Sequence, residues 1–180
     1  MLFRSRFKTE VERVKGEVYI VATAAGALET LGGILRAKQS TRAAVWEDLP
    51  IAGVPALLKT LGIQISPSDN LSVASSEVGI TGCQNAIATT GTLILATSPA
   101  RSRQASLLPP FHIALVRRSQ LLARLEDWVA AQRTDNLEIF ERSSNITLIT
   151  GRSRTADIEF VPVYGVHGPL ELHVLVIESL

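Results

Sequence analysis

The chain has 180 residues, 46% hydrophobic and 19% charged, with a formal net charge of +1. That length suits one domain with a sizeable core over residues 1–180, and the apolar content excludes a disordered chain. Near-neutral charge without a long basic block gives nucleic acid binding no support, no apolar run approaches a membrane span, and the lone Cys83 leaves no disulfide, four-cysteine cluster or structural zinc site within one chain.

The opening residues, Leu2 to Lys8, have no apolar signal core, so a cytoplasmic location is expected. Phe3, Phe7, Val11 and Val14 fall on one face and predict a helix to about residue 15. Val18–Ala22 reads as a buried strand. A helix carrying Leu28, Leu31 and Leu35 follows, weakened by Gly32-Gly33. Ala43–Trp46 is the next strand, Leu57, Leu58 and Leu61 mark another helix, and Ile63–Ile65 is a short strand. This alternation is the mark of a parallel α/β sheet covered on both sides.

Between Val78 and Thr97 the pattern changes. Thr90-Gly91 separates Ala86–Ala88 from Thr92–Leu95, which predicts a tight glycine turn in a small antiparallel insertion. A polar loop, Ser98–Ser106, leads to the strand Phe111–Val116. Ser119 is the expected N-cap of a helix reaching about Arg133, with Leu121, Leu122, Leu125, Trp128 and Val129 on its apolar face. Ile146–Ile149 and Leu172–Ile177 read as buried strands. No internal repeat or linker divides the chain, so a single domain is expected.

Three glycine-bearing polar turns interrupt these strands: Gly79–Gly82, Ala88–Thr92 and Gly151–Asp157. Ligands collect at the carboxyl ends of strands in open α/β sheets, so the three turns are expected to converge on one pocket for a small anion, a carboxylate or phosphate. The candidate ligand residues are Thr81, Gly82, Thr90, Gly91, Thr92, Arg103, Gly151, Ser153, Arg154, Thr155, Asp157, His167 and Gly168. Arg154 is the expected main charged contact, because its planar fork matches an oxyanion. Should a helix begin near Ser153, its free N–H groups would add donors. The alternative reading of residues 150–159 is a surface turn with an N-cap and local ion pairs. None of the turns is a P-loop or a dinucleotide fingerprint.

Cys83 reads as a small, partly buried residue. His112 and His173 lie inside apolar strands and read as satisfied core histidines. His167, between Gly165 and Gly168-Pro169, reads either as ligand-facing or as turn packing. With no second histidine at metal spacing, no metal and no cofactor are expected.

Together Val78–Gly82, Ala86–Thr92, Ser106–Pro109 with His112, Thr150–Glu159, and Gly165–Pro169 leading into Glu171-Leu172-His173 resemble, in order and spacing, the LUD domain family over residues 78–177. The first 75 residues match only in general pattern, and the chain looks short at its N-terminus beside the family. The family usually has an acidic residue where this chain has Thr89, and Cys83-Gln84 stands where Ala-Asp or Ala-Glu is common. The resemblance implies a three-layer α/β/α fold with a mainly parallel central sheet, like the ribose-phosphate isomerase, glucosamine-phosphate deaminase and CoA-transferase superfamily. It also implies a role in oxidising L-lactate to pyruvate alongside iron–sulfur partner proteins. This chain would be an accessory or substrate-handling subunit, since it cannot hold the clusters itself. A non-catalytic binder of small anions and a stand-alone enzyme on a sugar phosphate or acyl-CoA remain the other readings.

Overall fold

The computed structural model describes residues 3–156 and 162–179, and its first half alternates helix and strand as the apolar periodicity requires. In chain order it runs α1 (Phe3–Arg13), β1 (Glu17–Thr23), α2 (Ala24–Ala37), β2 (Arg42–Val45), α3 (Val54–Thr60), β3 (Gln64–Ile65), α4 (Asn70–Ala74) and β4 (Val78–Thr81). Then come β5 (Asn85–Ile87), β6 (Thr92–Ala96), a 3-10 turn at Arg103–Ser106, β7 (Phe111–Arg117), a second 3-10 turn at Arg118–Gln120 and β8 (Leu121–Leu122). The remainder is α5 (Leu125–Thr134), α6 (Glu138–Arg142), β9 (Ile146–Thr150), β10 (Arg154–Ala156), β11 (Pro162–Tyr164) and β12 (Glu171–Ser179).

Six of these strands form one all-parallel sheet in the order β1-β12-β7-β4-β2-β3. Its central strands carry unbroken apolar runs, Ile113–Val116 and Val174–Ile177, because both of their faces are covered. On one face Leu31 and Leu35 of α2 and Leu58 of α3 pack on Ile80, Leu115 and Leu175. On the other, Phe7 and Val11 of α1 and Ala86, Leu93 and Leu95 of a second sheet cover Val174 and Val176. That second sheet has the order β8-β5-β6-β9, and its outer side is closed by Trp128 of α5 against Ile87 and Ile94. The arrangement is the expected three-layer α/β/α fold with a mainly parallel central sheet.

The insertion is larger than the sequence suggests. The β5–β6 hairpin forms as expected, with Ile87 opposite Thr92. It also recruits β9, so Ile146–Ile149 belongs to this sheet and not to the central one. The helix expected from Ser119 begins only at Leu125. Leu121 and Leu122 instead pair in parallel with Ala86 and Ile87, which meets their demand for burial. The helix start then moves to Arg124, whose backbone N–H donates to the Asp127 carboxylate at 2.9 Å. No helix begins near Ser153 either: Arg154–Ala156 is a strand paired antiparallel with Pro162–Tyr164.

Gly79 permits a close crossing. The Ser98–Pro110 segment runs over the sheet so tightly that a Cβ on Gly79 would lie 1.6 Å from the Ala105 carbonyl oxygen. Gly91, with φ +66°, is likewise pressed against α1, where a Cβ would stand 2.6 Å from the Val11 nitrogen.

Candidate functional site

The residues singled out in the sequence fall into two groups at opposite ends of the sheet. Thr90, Gly91, Thr92, Gly151, Ser153, Arg154, Thr155, His167 and Gly168 gather at the amino ends of the strands. There a hydroxyl ladder links Thr90 to Thr92 and Thr92 to Thr150, each at 2.7 Å. Gly151 abuts Val14 just before β1, as Gly91 abuts Val11. Ser153 is a hub for its own loop: its N–H donates to the Pro169 carbonyl at 2.9 Å, its carbonyl accepts from Gly165 at 3.2 Å, and its hydroxyl accepts from the His167 N–H at 3.4 Å. These groups brace the turn from within. Arg152 stacks its guanidinium 3.8 Å from the Tyr164 ring centre, while Arg154 is exposed. Asp157 lies outside the described residues.

Thr81 and Gly82 stand elsewhere, at the carboxyl end of β4, so the single pocket expected from the three glycine turns does not form. The reason is that β5 and β9 run back along the second sheet and deliver Gly91 to α1 and Gly151 to the turn between α1 and β1. Arg103 is exposed on the 3-10 turn between the two ends.

The carboxyl ends hold a different site. The connections before and after β2 pass through α2 and α3 on one face, whereas the chain leaving β4 crosses to the second sheet on the other. Neighbouring strands whose loops part in this way open a crevice, the usual ligand position in such sheets. It has a volume of about 150 Å³ and is lined by Trp46, Asp48 and Pro50 after β2, Gly82 and Cys83 after β4, Arg101, Arg117 and Gln120. Asp48 and Arg101 also border a wider cleft of about 490 Å³ reaching the α5–α6 turn, with Gln84, Asn85 and Arg142 on its walls.

The crevice is built on a fixed frame. Trp46 Nε1 donates to the Ser102 carbonyl at 2.9 Å, which ties the β2 end to the crossing segment. Gln120 accepts from the Arg117 N–H at 2.7 Å and donates to the Cys83 carbonyl at 2.5 Å. Arg101 pairs with Asp48 at 2.7 Å and is partly neutralised there. Arg117 is exposed, and among the described residues its side chain donates only a long 3.3 Å bond from Nη2 to the Pro50 carbonyl, so most of its fork faces solvent. Burial pushes the Cys83 thiol up to about 12, so it stays protonated and is a poor nucleophile near neutral pH. Below the crevice, Thr81 and His112 Nε2 share a 2.8 Å hydrogen bond, and burial, then the neighbouring His173, hold the His112 ring down to about 3. That ring is neutral near pH 7. Arg117 therefore presents an exposed guanidinium at the edge of the crevice.

Sequence reasoning placed only Gly82 here. Trp46 with Asp48, Arg101, and Arg117 with Gln120 come from three separate stretches of the chain and form no shared motif. The available signal was positional: Trp46 ends a predicted buried strand and Gly82 ends a predicted glycine turn.

The comparisons agree with the fold. Residues 4–177 match the LUD domain model. The chain is 35% identical over 160 residues to lactate utilization protein C of Deinococcus radiodurans, covering 86% of this chain and 72% of that protein. It is 32% identical to uncharacterized protein YkgG of Escherichia coli, covering 91% and 64%, and 32% identical to lactate utilization protein C of Macrococcus caseolyticus, covering 84% and 68%. The crystal structure of a DUF162 family protein from Deinococcus radiodurans superimposes with a TM-score of 0.67 at 27% identity, over 97% of this chain and 96% of that one. The chain belongs to the LUD domain family.

Proposed function

We propose that this protein is a substrate-handling subunit in the oxidation of L-lactate to pyruvate, and that it holds a small carboxylate in the crevice at the carboxyl ends of β2 and β4. The observation that carries this reading is the Arg117 fork beside a 150 Å³ space at the switch point of the sheet. Relatives named lactate utilization protein C support the substrate class. Electrons from the substrate would pass to iron–sulfur partner proteins, for which a chain with one cysteine offers no internal substitute.

Calorimetric titration with L-lactate, pyruvate and inorganic phosphate tests the site. Arg117→Gln should weaken carboxylate binding about tenfold, or roughly 1.4 kcal/mol, with little change in melting temperature. Arg154→Gln should leave affinity unchanged. Loss of binding in Arg154→Gln alone would move the site to the Ser153 loop. Binding of phosphate but neither carboxylate would favour a phosphate carrier over a lactate role.

A further inference from the structure

At the amino ends of β1 and β12 lies a second polar group that the proposed activity does not use. Glu17 and His173 face one another across the strand pair, and Glu171 precedes His173 by two residues on the same face of β12. One donor atom from each of the three lies within 4.8 Å of the others. His173 is only 3% exposed. Its Nε2 is 3.0 Å from a Glu171 oxygen, and Glu171 is itself clamped by Lys38 at 2.5 Å. Its Nδ1 is buried and has no hydrogen-bond partner among the described residues. That atom points toward the Glu17 carboxylate at 3.6 Å.

The 3.6 Å gap is too long for a hydrogen bond. It is, however, the separation of two ligand atoms each about 2.0–2.1 Å from a shared zinc-sized ion and subtending roughly 120°. We propose that His173 Nδ1 and Glu17 bind a divalent first-row transition ion of the Zn²⁺ type. Glu171 acts one step outward: it accepts the Nε2–H and fixes the tautomer that leaves the Nδ1 lone pair free. Lys38 neutralises Glu171, so the charge facing the ion comes from Glu17. The Tyr19 hydroxyl, 2.7 Å from Glu17, steadies that carboxylate. Glu17 is 60% exposed in its side chain, so the remaining coordination positions open to water or to an oxygen ligand. An imidazole with few oxygens disfavours Ca²⁺ and Mg²⁺, which demand oxygen-rich shells. The sequence hid this pairing because the histidine's partner comes from the other end of the chain.

The rival occupant of the gap is a proton, which would make His173 an imidazolium between two carboxylates. Protein dialysed against chelator and then titrated with Zn²⁺ by calorimetry, and with Co²⁺ by visible absorption, separates the two. The expected result is one ion per chain, at least tenfold weaker in Glu17→Ala and in His173→Ala, and unchanged in the control His167→Ala. Glu17→Ala alters an exposed side chain and should fold, so the test stands even where His173→Ala does not. Absence of saturable one-to-one binding, or equal affinity in Glu17→Ala, would overturn the proposal in favour of the proton.

Discussion

Replacing His112 by leucine should flatten the acid limb of the stability curve. The ring is fully buried, with one nitrogen on Thr81 and Nδ1 without a partner among the described residues. In the unfolded chain it takes up a proton below about pH 6.5; in the folded chain burial, then His173, delays that to about pH 3. Between these values the unfolded state binds the extra proton, so stability is retained above about pH 6.5 and lost as pH falls. The slope is about 1.4 kcal/mol per pH unit, or about 2.5 kcal/mol between pH 7 and pH 4.5. For a chain of this size that is roughly 5–10 °C in melting temperature. Leucine keeps the apolar bulk and removes the titrating group, at a cost of about 1 kcal/mol at pH 7 for the stranded Thr81 hydroxyl. Urea unfolding of both proteins at pH 7, 6, 5 and 4.5 should therefore show the wild type ahead at pH 7 and the variant ahead by pH 4.5. Parallel curves would show that His112 does not resist protonation in the fold, and the reasoning from burial would fail.

Two glycine substitutions should differ sharply. Gly79→Ala places a methyl group 1.6 Å from the Ala105 carbonyl and should cost at least about 3 kcal/mol, or abolish soluble expression, whereas Gly33→Ala in α2 meets nothing within 4 Å and should gain about 0.5–1 kcal/mol in equilibrium unfolding. Cys83 should resist iodoacetamide at pH 8 in the folded protein and react fully in 6 M guanidinium, as followed by mass spectrometry; rapid labelling of the native chain would contradict the upward push that burial gives its thiol.

Much of the fold was legible because its signals are local. The central strands announce themselves as unbroken apolar runs, and the β5–β6 turn by Thr90-Gly91. β8 was not legible: Leu121 and Leu122 also satisfy the apolar face of a helix, and only the free edge of β5 decides for a strand. The site was harder still. A glycine required by close chain packing looks identical in sequence to one required by a ligand, and Gly91 and Gly151 prove to be of the first kind, pressed on Val11 in α1 and on Val14 in the turn after it. The crevice residues Trp46, Arg101 and Arg117 carry no shared spacing, since they meet only once the sheet has ordered its strands.

The placement of β1 has a consequence for how the protein is made on the ribosome. Among the described residues β1 pairs within the central sheet only with β12, the last of the described strands. At about 5–20 residues per second, roughly 8–30 s of translation separate the two. For that interval β1 is an open edge, joined by the adjoining side of β7 once Phe111–Arg117 has been made, and both are free to pair with other nascent chains. Assembly of the central sheet around β1 waits on β12. A chain cut short before Glu171 would carry two unpaired parallel edges, which makes it a natural client for chaperones or proteases.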